Sequence, residues 1–151
     1  MPNGSTSWFV DTNVLIYMLD PADSVKQARA LSWMTELAAR KSIVLSPQSL
    51  NESYRVMRKI FPDAGAEWRR ANIEDFAQWC TAPLDAATTR LAWTIVDTTG
   101  FQWFDCLLLA SAIEARCGWF LSEDLSHGRV LGPLTIVDPF RLTPADFPSP
   151  T

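Results

Sequence analysis

A chain of 151 residues with 13 Lys and Arg, 17 Asp and Glu, one His and 48% hydrophobic residues has the size of one domain and the means to build a core. This excludes a disordered tail and a disulfide-stapled miniprotein. The net charge of −4 requires any nucleic-acid surface to be a local patch. Cys80, Cys106 and Cys117 have apolar neighbours and no C-x-x-C spacing, so reduced, buried thiols are expected, and one His leaves a structural zinc site almost without ligands. Residues 1–7 are polar and lack a basic residue, which argues against a signal peptide. The longest strongly apolar run, 106–113, is far short of the roughly 18 residues of a membrane span. A soluble, cytoplasmic protein is expected.

In chain order, Trp8-Phe9-Val10 reads as a buried first strand ending at Asp11. A short helix over 14–19 stops at Asp20-Pro21. Over 24–41, apolar residues at 28, 31, 34 and 38 mark one helical face. Residues 43–45 form a short strand, and Ser46-Pro47 opens a helix to about residue 60, with Ser as N-cap and Pro at the first helical position. Helices over 64–80 and 86–98 follow, the second closed by Gly100, and Asp105 begins a helix, apolar on nearly every side, to 115. Strands over 119–121 and 134–137 precede a Pro-rich tail, 141–151.

Short apolar strands separated by helices imply an α/β fold with a parallel sheet. Ligands of such sheets sit beyond the carboxyl ends of the strands. Asp11 and Asp124 fall at such ends, Asp105 opens a helix, and Glu52 lies in the first turns of another. Carboxylates gathered on one sheet edge repel unless one protonates or a cation joins them. The four acids themselves offer only oxygen donors, which suits Mg²⁺ or Mn²⁺ and the hydrolysis of phosphodiesters. Taken singly, each acid has an ordinary structural reading. Asp11 suits an N-cap, Asp105 complements a helix dipole, and Asp124 suits a turn. Ser49 and Glu52 have capping-box spacing, although Ser46-Pro47 offers the better helix start.

The ordered set resembles a known family. Phe9-Val10-Asp11-Thr12-Asn13-Val14-Leu15 resembles the opening signature of the PIN-domain nucleases. Ser49-Leu50-Asn51-Glu52 fits the second acid, Phe104-Asp105-Cys106-Leu107-Leu108-Leu109-Ala110 the third, and Leu121-Ser122-Glu123-Asp124-Leu125 with His127-Gly128 the fourth. Val137-Asp138-Pro139-Phe140 resembles the usual last strand and exit. Length and motif style look most like the VapC-type ribonuclease toxins of bacterial toxin–antitoxin pairs. The resemblance implies a single PIN domain over 1–151, with a motif-bearing core at 8–140. Its fold would be three-layered, with a short, mostly parallel sheet flanked by helices. It further implies metal-dependent endonucleolytic cleavage of RNA with Mg²⁺ or Mn²⁺, a homodimer, and a cognate antitoxin as partner.

Carried over residue by residue, Asp11, Glu52, Asp105 and Asp124 would be the catalytic metal-site acids. Asn13 and Ser122 would orient them. Glu123 remains an alternative to Asp124 as the fourth acid. Arg55 and Lys59 share the helical face of Glu52 and are candidate RNA contacts, against a reading as pairing partners of Glu52. Arg69-Arg70 and Arg40-Lys41 read as surface charge, and His127 as a turn residue. Trp33, Trp68, Trp79 and Trp93 read as core or packing residues, and the cluster at 101–104 as packing rather than base stacking. An aspartyl-phosphate phosphatase would want an Asp where Asn13 stands. An RNA-processing PIN nuclease without a toxin role and a non-catalytic PIN-like binding module remain the alternatives.

Overall fold

The computed structural model describes residues 6–149; residues 1–5 of the polar N-terminal stretch and 150–151 of the tail lie outside them. Five short strands form one sheet: β1 (Trp8–Val10), β2 (Ile43–Val44), β3 (Trp119–Leu121), β4 (Val130–Leu131) and β5 (Leu134–Val137). Their order is β2-β1-β3-β5-β4. The β1–β3 and β3–β5 pairs are parallel and β4 runs antiparallel to β5, so the sheet is mostly parallel, as expected. β4 has no sequence signature because two residues cannot show a period. It is held by a tight hairpin whose Gly132 adopts φ 58°, a left-handed conformation that favours glycine.

The chain forms two compact units, residues 1–43 with 116–151, and residues 44–115. In the first, α1 (Thr12–Leu19) and α2 (Ser24–Ala39) accompany the sheet. The register sets Trp8 beside Trp119 and Phe9 beside Phe120, and alternation sends the two pairs to opposite faces. Phe9 and Phe120 stack at 5.4 Å with their rings nearly parallel. Trp8 stacks on Trp119 at 5.3 Å, and Trp33 of α2 and Phe147 close on Trp8 at 5.1 and 5.0 Å.

Phe147 belongs to the Pro-rich tail, and that tail is built into this unit through Phe147 rather than appended to it. The Trp33 indole donates to the Pro139 carbonyl at 3.0 Å. Arg40 donates to the carbonyls of Pro144 and Phe147, at the two ends of a 3₁₀ turn (Pro144–Asp146). Arg40 is therefore not plain surface charge: the carbonyls of this turn need donors, and its guanidinium supplies them.

The second unit is helical: α3 (Pro47–Ile60), a 3₁₀ turn (Pro62–Ala64), α4 (Ala66–Ala77), α5 (Ala86–Thr99) and α6 (Trp103–Glu114). α3 packs against α4 and α6, and α5 against α6. Every residue of α6 from Cys106 to Ala112 is buried, as its all-round apolar character predicts. The one hydroxyl there, on Ser111, donates to the Pro83 carbonyl at 2.7 Å. α5 begins at a reciprocal Asp85–Thr88 cap and ends at Gly100 with φ 73°. The helix expected over 64–80 is shorter because Gly65, at φ 84°, separates it from the 3₁₀ turn.

Several aromatic expectations fail here. Trp93 is 58% exposed and Phe104 52% exposed. The buried stripe of α5 runs through Thr88, Ala92 and Ile95, which turns Trp93 away from it. Trp103 is also exposed, whereas Trp33 is fully buried, and Trp68, although partly exposed, packs edge to face on Phe61 at 5.4 Å as a packing residue should. The cluster at 101–104 therefore does not fill the core.

All three cysteines are free; Cys106 and Cys117 are buried, while Cys80 is half-buried. Burial pushes the Cys117 thiol up to about 12 from an ordinary 9.0. The folded state thus holds this proton where the unfolded chain loses it. The stability due to the neutral thiol is complete below pH 9 and is lost as pH rises toward 12. At pH 10, urea denaturation is expected to show Cys117→Ala losing about 1 kcal/mol less of its pH 8 stability than the wild type does.

Candidate active site

β1 runs directly into Asp11, whose N–H donates to the Leu121 carbonyl at 2.9 Å and extends the parallel ladder by one bond. The chain then turns into α1 with Asp11 as its N-cap. The cap explains why α1 begins at Thr12 rather than at 14: Asp11 Oδ1 accepts the Thr12 N–H at 2.7 Å. Asp11 Oδ2 accepts the Ser122 hydroxyl at 2.7 Å. Ser122 directly follows β3, and its N–H bonds the Val137 carbonyl at 2.9 Å. Neighbouring carboxyl ends of parallel strands thus press two buried polar side chains together, as the topology of such sheets requires.

Asn13 sits in the first turn of α1. Its Nδ2 donates to Asp124 Oδ2 at 2.8 Å and stands 3.5 Å from Asp11 Oδ2. One amide therefore bridges a buried carboxylate and an exposed one. Asn13 Oδ1 is buried without a hydrogen-bond partner, an arrangement that costs free energy unless a donor or cation meets it. Asp11, Asn13, Ser122 and Asp124 thus meet in the first unit.

Glu123 points elsewhere. It accepts the Tyr17 hydroxyl at 2.9 Å and the Lys26 ammonium at 2.5 Å. The bond to Glu123 holds the Lys26 ammonium above its ordinary range, against a smaller opposing effect of burial. Burial first, and the Glu123 bond second, raise the Tyr17 hydroxyl. Sequence reasoning missed Lys26 and Tyr17 because they lie 97 and 106 residues from Glu123, and no local pattern links them. His127 uses Nδ1 to accept the Asp138 N–H at 3.0 Å, a structural role in the turn before β4.

Glu52 and Asp105 belong to the second unit, on the mutually packed helices α3 and α6. Ser49 Oγ accepts the Ser46 N–H at 3.1 Å, so Ser49 closes the helix start at Ser46 and Glu52 lies inside α3, half-buried. Asp105 is half-buried in the first turn of α6, behind the N-cap Gln102. Arg55, Arg58 and Lys59 are exposed along α3 and, with Asn51 and Tyr54, line a shallow groove. Among the described residues none of these three cations forms a salt bridge.

Among the described residues, no three His, Cys, Asp or Glu side chains gather into one metal-binding group. The donor set in the first unit is nonetheless of the kind a hard divalent cation takes. It comprises the carboxylates of Asp11 and Asp124 and the unpartnered Asn13 carbonyl, all oxygen. No helix among the described residues is long and apolar enough to cross a membrane.

The chain belongs to the PIN-domain family, whose sequence profile matches residues 8–131. No curated protein matches it by sequence. Among solved structures it is similar to a chain of VapBC2 from Rickettsia felis, bound to a DNA fragment of its promoter. That match has 16% identity and a TM-score of 0.60, covering 87% of this chain and 97% of that one. It is similar to Mycobacterium tuberculosis VapC20, a sarcin–ricin-loop-cleaving toxin, with 16% identity and a TM-score of 0.57 over 76% of this chain and 87% of that one. A chain of VapBC-1 from nontypeable Haemophilus influenzae matches with 14% identity and a TM-score of 0.52 over 79% of this chain and 87% of that one. At these identities the likeness is one of fold.

Removing the hydroxyl donor to Oδ2 of the buried Asp11 carboxylate should be costly. Ser122→Ala is expected to lower stability by about 1.5–3 kcal/mol in chemical denaturation at neutral pH, the range for hydrogen bonds to charged groups. A loss under 0.5 kcal/mol would place the Asp11 carboxylate in contact with another donor of equal strength.

Proposed function

We propose that this chain is a divalent-metal-dependent endoribonuclease, a single PIN domain acting as the toxin of a toxin–antitoxin pair. The observation that carries the reading is the Asp11–Asn13–Asp124 bridge, placed where the PIN family carries its opening and last acidic motifs. Asp11, Glu52, Asp105 and Asp124 are assigned as the carboxylates that hold Mg²⁺ or Mn²⁺. When bound, such an ion supplies an activated water and neutralises charge on the scissile phosphate.

The chain's own residues do the rest. Thr12 and Ser122 hold the Asp11 carboxylate in one orientation through donated hydrogen bonds, which keeps it an acceptor toward a cation. Asn13 sets the position of Asp124. Arg55 and Lys59, one helical turn apart, take the phosphates of the RNA strand. The toxin role and a cognate antitoxin follow the VapBC and VapC structures this fold resembles, and a homodimer follows the resemblance of the sequence motifs alone. The processing-nuclease and binding-module alternatives lack an observation of their own.

The test is cleavage of a mixed structured RNA by purified protein with Mg²⁺, Mn²⁺ or EDTA, with Asp105→Asn in parallel. Metal-dependent cleavage that falls more than about 100-fold in the variant is expected, since a direct ligand should exceed the 10–100-fold worth of the groups that orient it. Equal activity in the variant would trace the cleavage to a contaminant and remove Asp105 from the site. In the same assay, Arg55→Gln and Lys59→Gln should each weaken RNA binding and flatten its dependence on log salt by about 0.7, the value of one phosphate contact to a single strand. For the toxin role, expression should arrest growth, and Asp11→Asn should abolish the arrest.

A further inference from the structure

Three consecutive residues after β3 are tied to three different anchors. Ser122 donates to Asp11, Glu123 accepts from Tyr17 and Lys26, and Asp124 accepts from Asn13. The middle tie is more than a surface ion pair. The Lys26 ammonium also donates to the Tyr17 hydroxyl at 3.3 Å. It lies over the Tyr17 ring at 4.8 Å and the Phe140 ring at 5.0 Å. Those rings meet edge to face at 5.3 Å. The Lys26 and Glu123 side chains retain 33% and 22% of their exposure.

An exposed salt bridge contributes little because solvent screens it and two long side chains must be immobilised. Here two aromatic rings cover part of the cation and add cation–π attraction. The carboxylate's second oxygen is occupied by a phenol. Such a site fixes its carboxylate in place.

We propose that Lys26, acting through Glu123 and Tyr17, is a positioning residue that clamps the 122–124 segment and thereby aims Asp124 at Asn13 and the metal. Glu123 is the anchor of this segment, and Asp124 alone of the two acids faces the site. The inference rests on the metal-site reading of Asp124. Without Lys26, Glu123 becomes an uncompensated carboxylate beside Asp124, free to leave Tyr17 and carry the segment with it.

The test compares wild type, Lys26→Met, Lys26→Arg, Tyr17→Phe and the double variant Lys26→Met/Glu123→Gln. The Asn13 side-chain amide resonances report the clamp without metal, and Mn²⁺ titration reports its effect on the site. Lys26→Met should shift the Asn13 amide signals in the metal-free protein, weaken Mn²⁺ binding 10–100-fold and lower kcat more than it raises KM. Lys26→Arg should recover part of each effect. The double variant relieves the stranded charge, so stability should return while Mn²⁺ binding stays weak.

Unchanged Asn13 signals and Mn²⁺ affinity in Lys26→Met would overturn the proposal. Full recovery of affinity in the double variant would also overturn it, by reducing Lys26 to a charge partner. If Lys26→Met fails to fold, Tyr17→Phe decides. It keeps the ring contacts and removes the two hydroxyl bonds, to Glu123 and from Lys26, while the Lys26–Glu123 pair remains, and a smaller shift of the same Asn13 signals is expected, with no shift counting against the clamp. If wild type binds no Mn²⁺, the metal-site reading fails, and the Asn13 signals still judge the clamp.

Discussion

The buried carboxylate of Asp11 is the constraint around which the first unit is arranged. An acid removed from water is tolerated only when donors surround it, and Asp11 obtains them from two elements. The Thr12 N–H comes from the start of α1 and the Ser122 hydroxyl from the exit of β3. Both depend on the parallel β1–β3 register, which sets Val10 beside Leu121 and so brings residues 11 and 122 side by side. A shift of one residue would reverse every side chain of these strands between the two faces. It would also separate Asp11 from Ser122. The register is in turn enforced by packing, because only this pairing stacks Phe9 on Phe120 and Trp8 on Trp119.

The same logic explains why polar residues near the site are crowded yet ordered. Asn13, Asp124, Glu123, Tyr17 and Lys26 form two short networks that branch from neighbouring residues of one loop. Polar networks of this kind specify a geometry when their members are satisfied. The exception is Asn13 Oδ1, buried and without a partner. A local conflict of this sort is characteristic of a functional position, and the same amide contacts Asp11 and Asp124 through its nitrogen, two of the four carboxylates proposed to hold the metal. The helical unit solves a different problem. α6 is buried on every side from Cys106 to Ala112, so the second unit is organised around one helix. Asp105 sits near its start, where the surface is reached.

Much of this was legible in the sequence. Trp8-Phe9-Val10, the Ser46-Pro47 helix start, the Gly100 stop and the all-apolar helix after Asp105 are local signals with local causes, and the structure reproduces them. The expectations that failed were those that needed to know which way a face turns. Trp93 belongs to an amphipathic helix, but its position off the 88–92–95 stripe is set by where α6 lies. Arg40 looks like solvent-facing charge until the tail folds back and presents carbonyls to it. β4 is too short to carry any pattern.

By itself the sequence determined the class of fold, the order of its elements and the four acids to which the PIN resemblance points. These rest on short-range periodicity and on motifs a few residues long. Tertiary structure decided what those motifs leave open. Asp124 lies against Asn13, while Glu123 is drawn off by a lysine 97 residues away. The two acids are adjacent in the chain and chemically alike, so only partners supplied by another part of the fold can distinguish them.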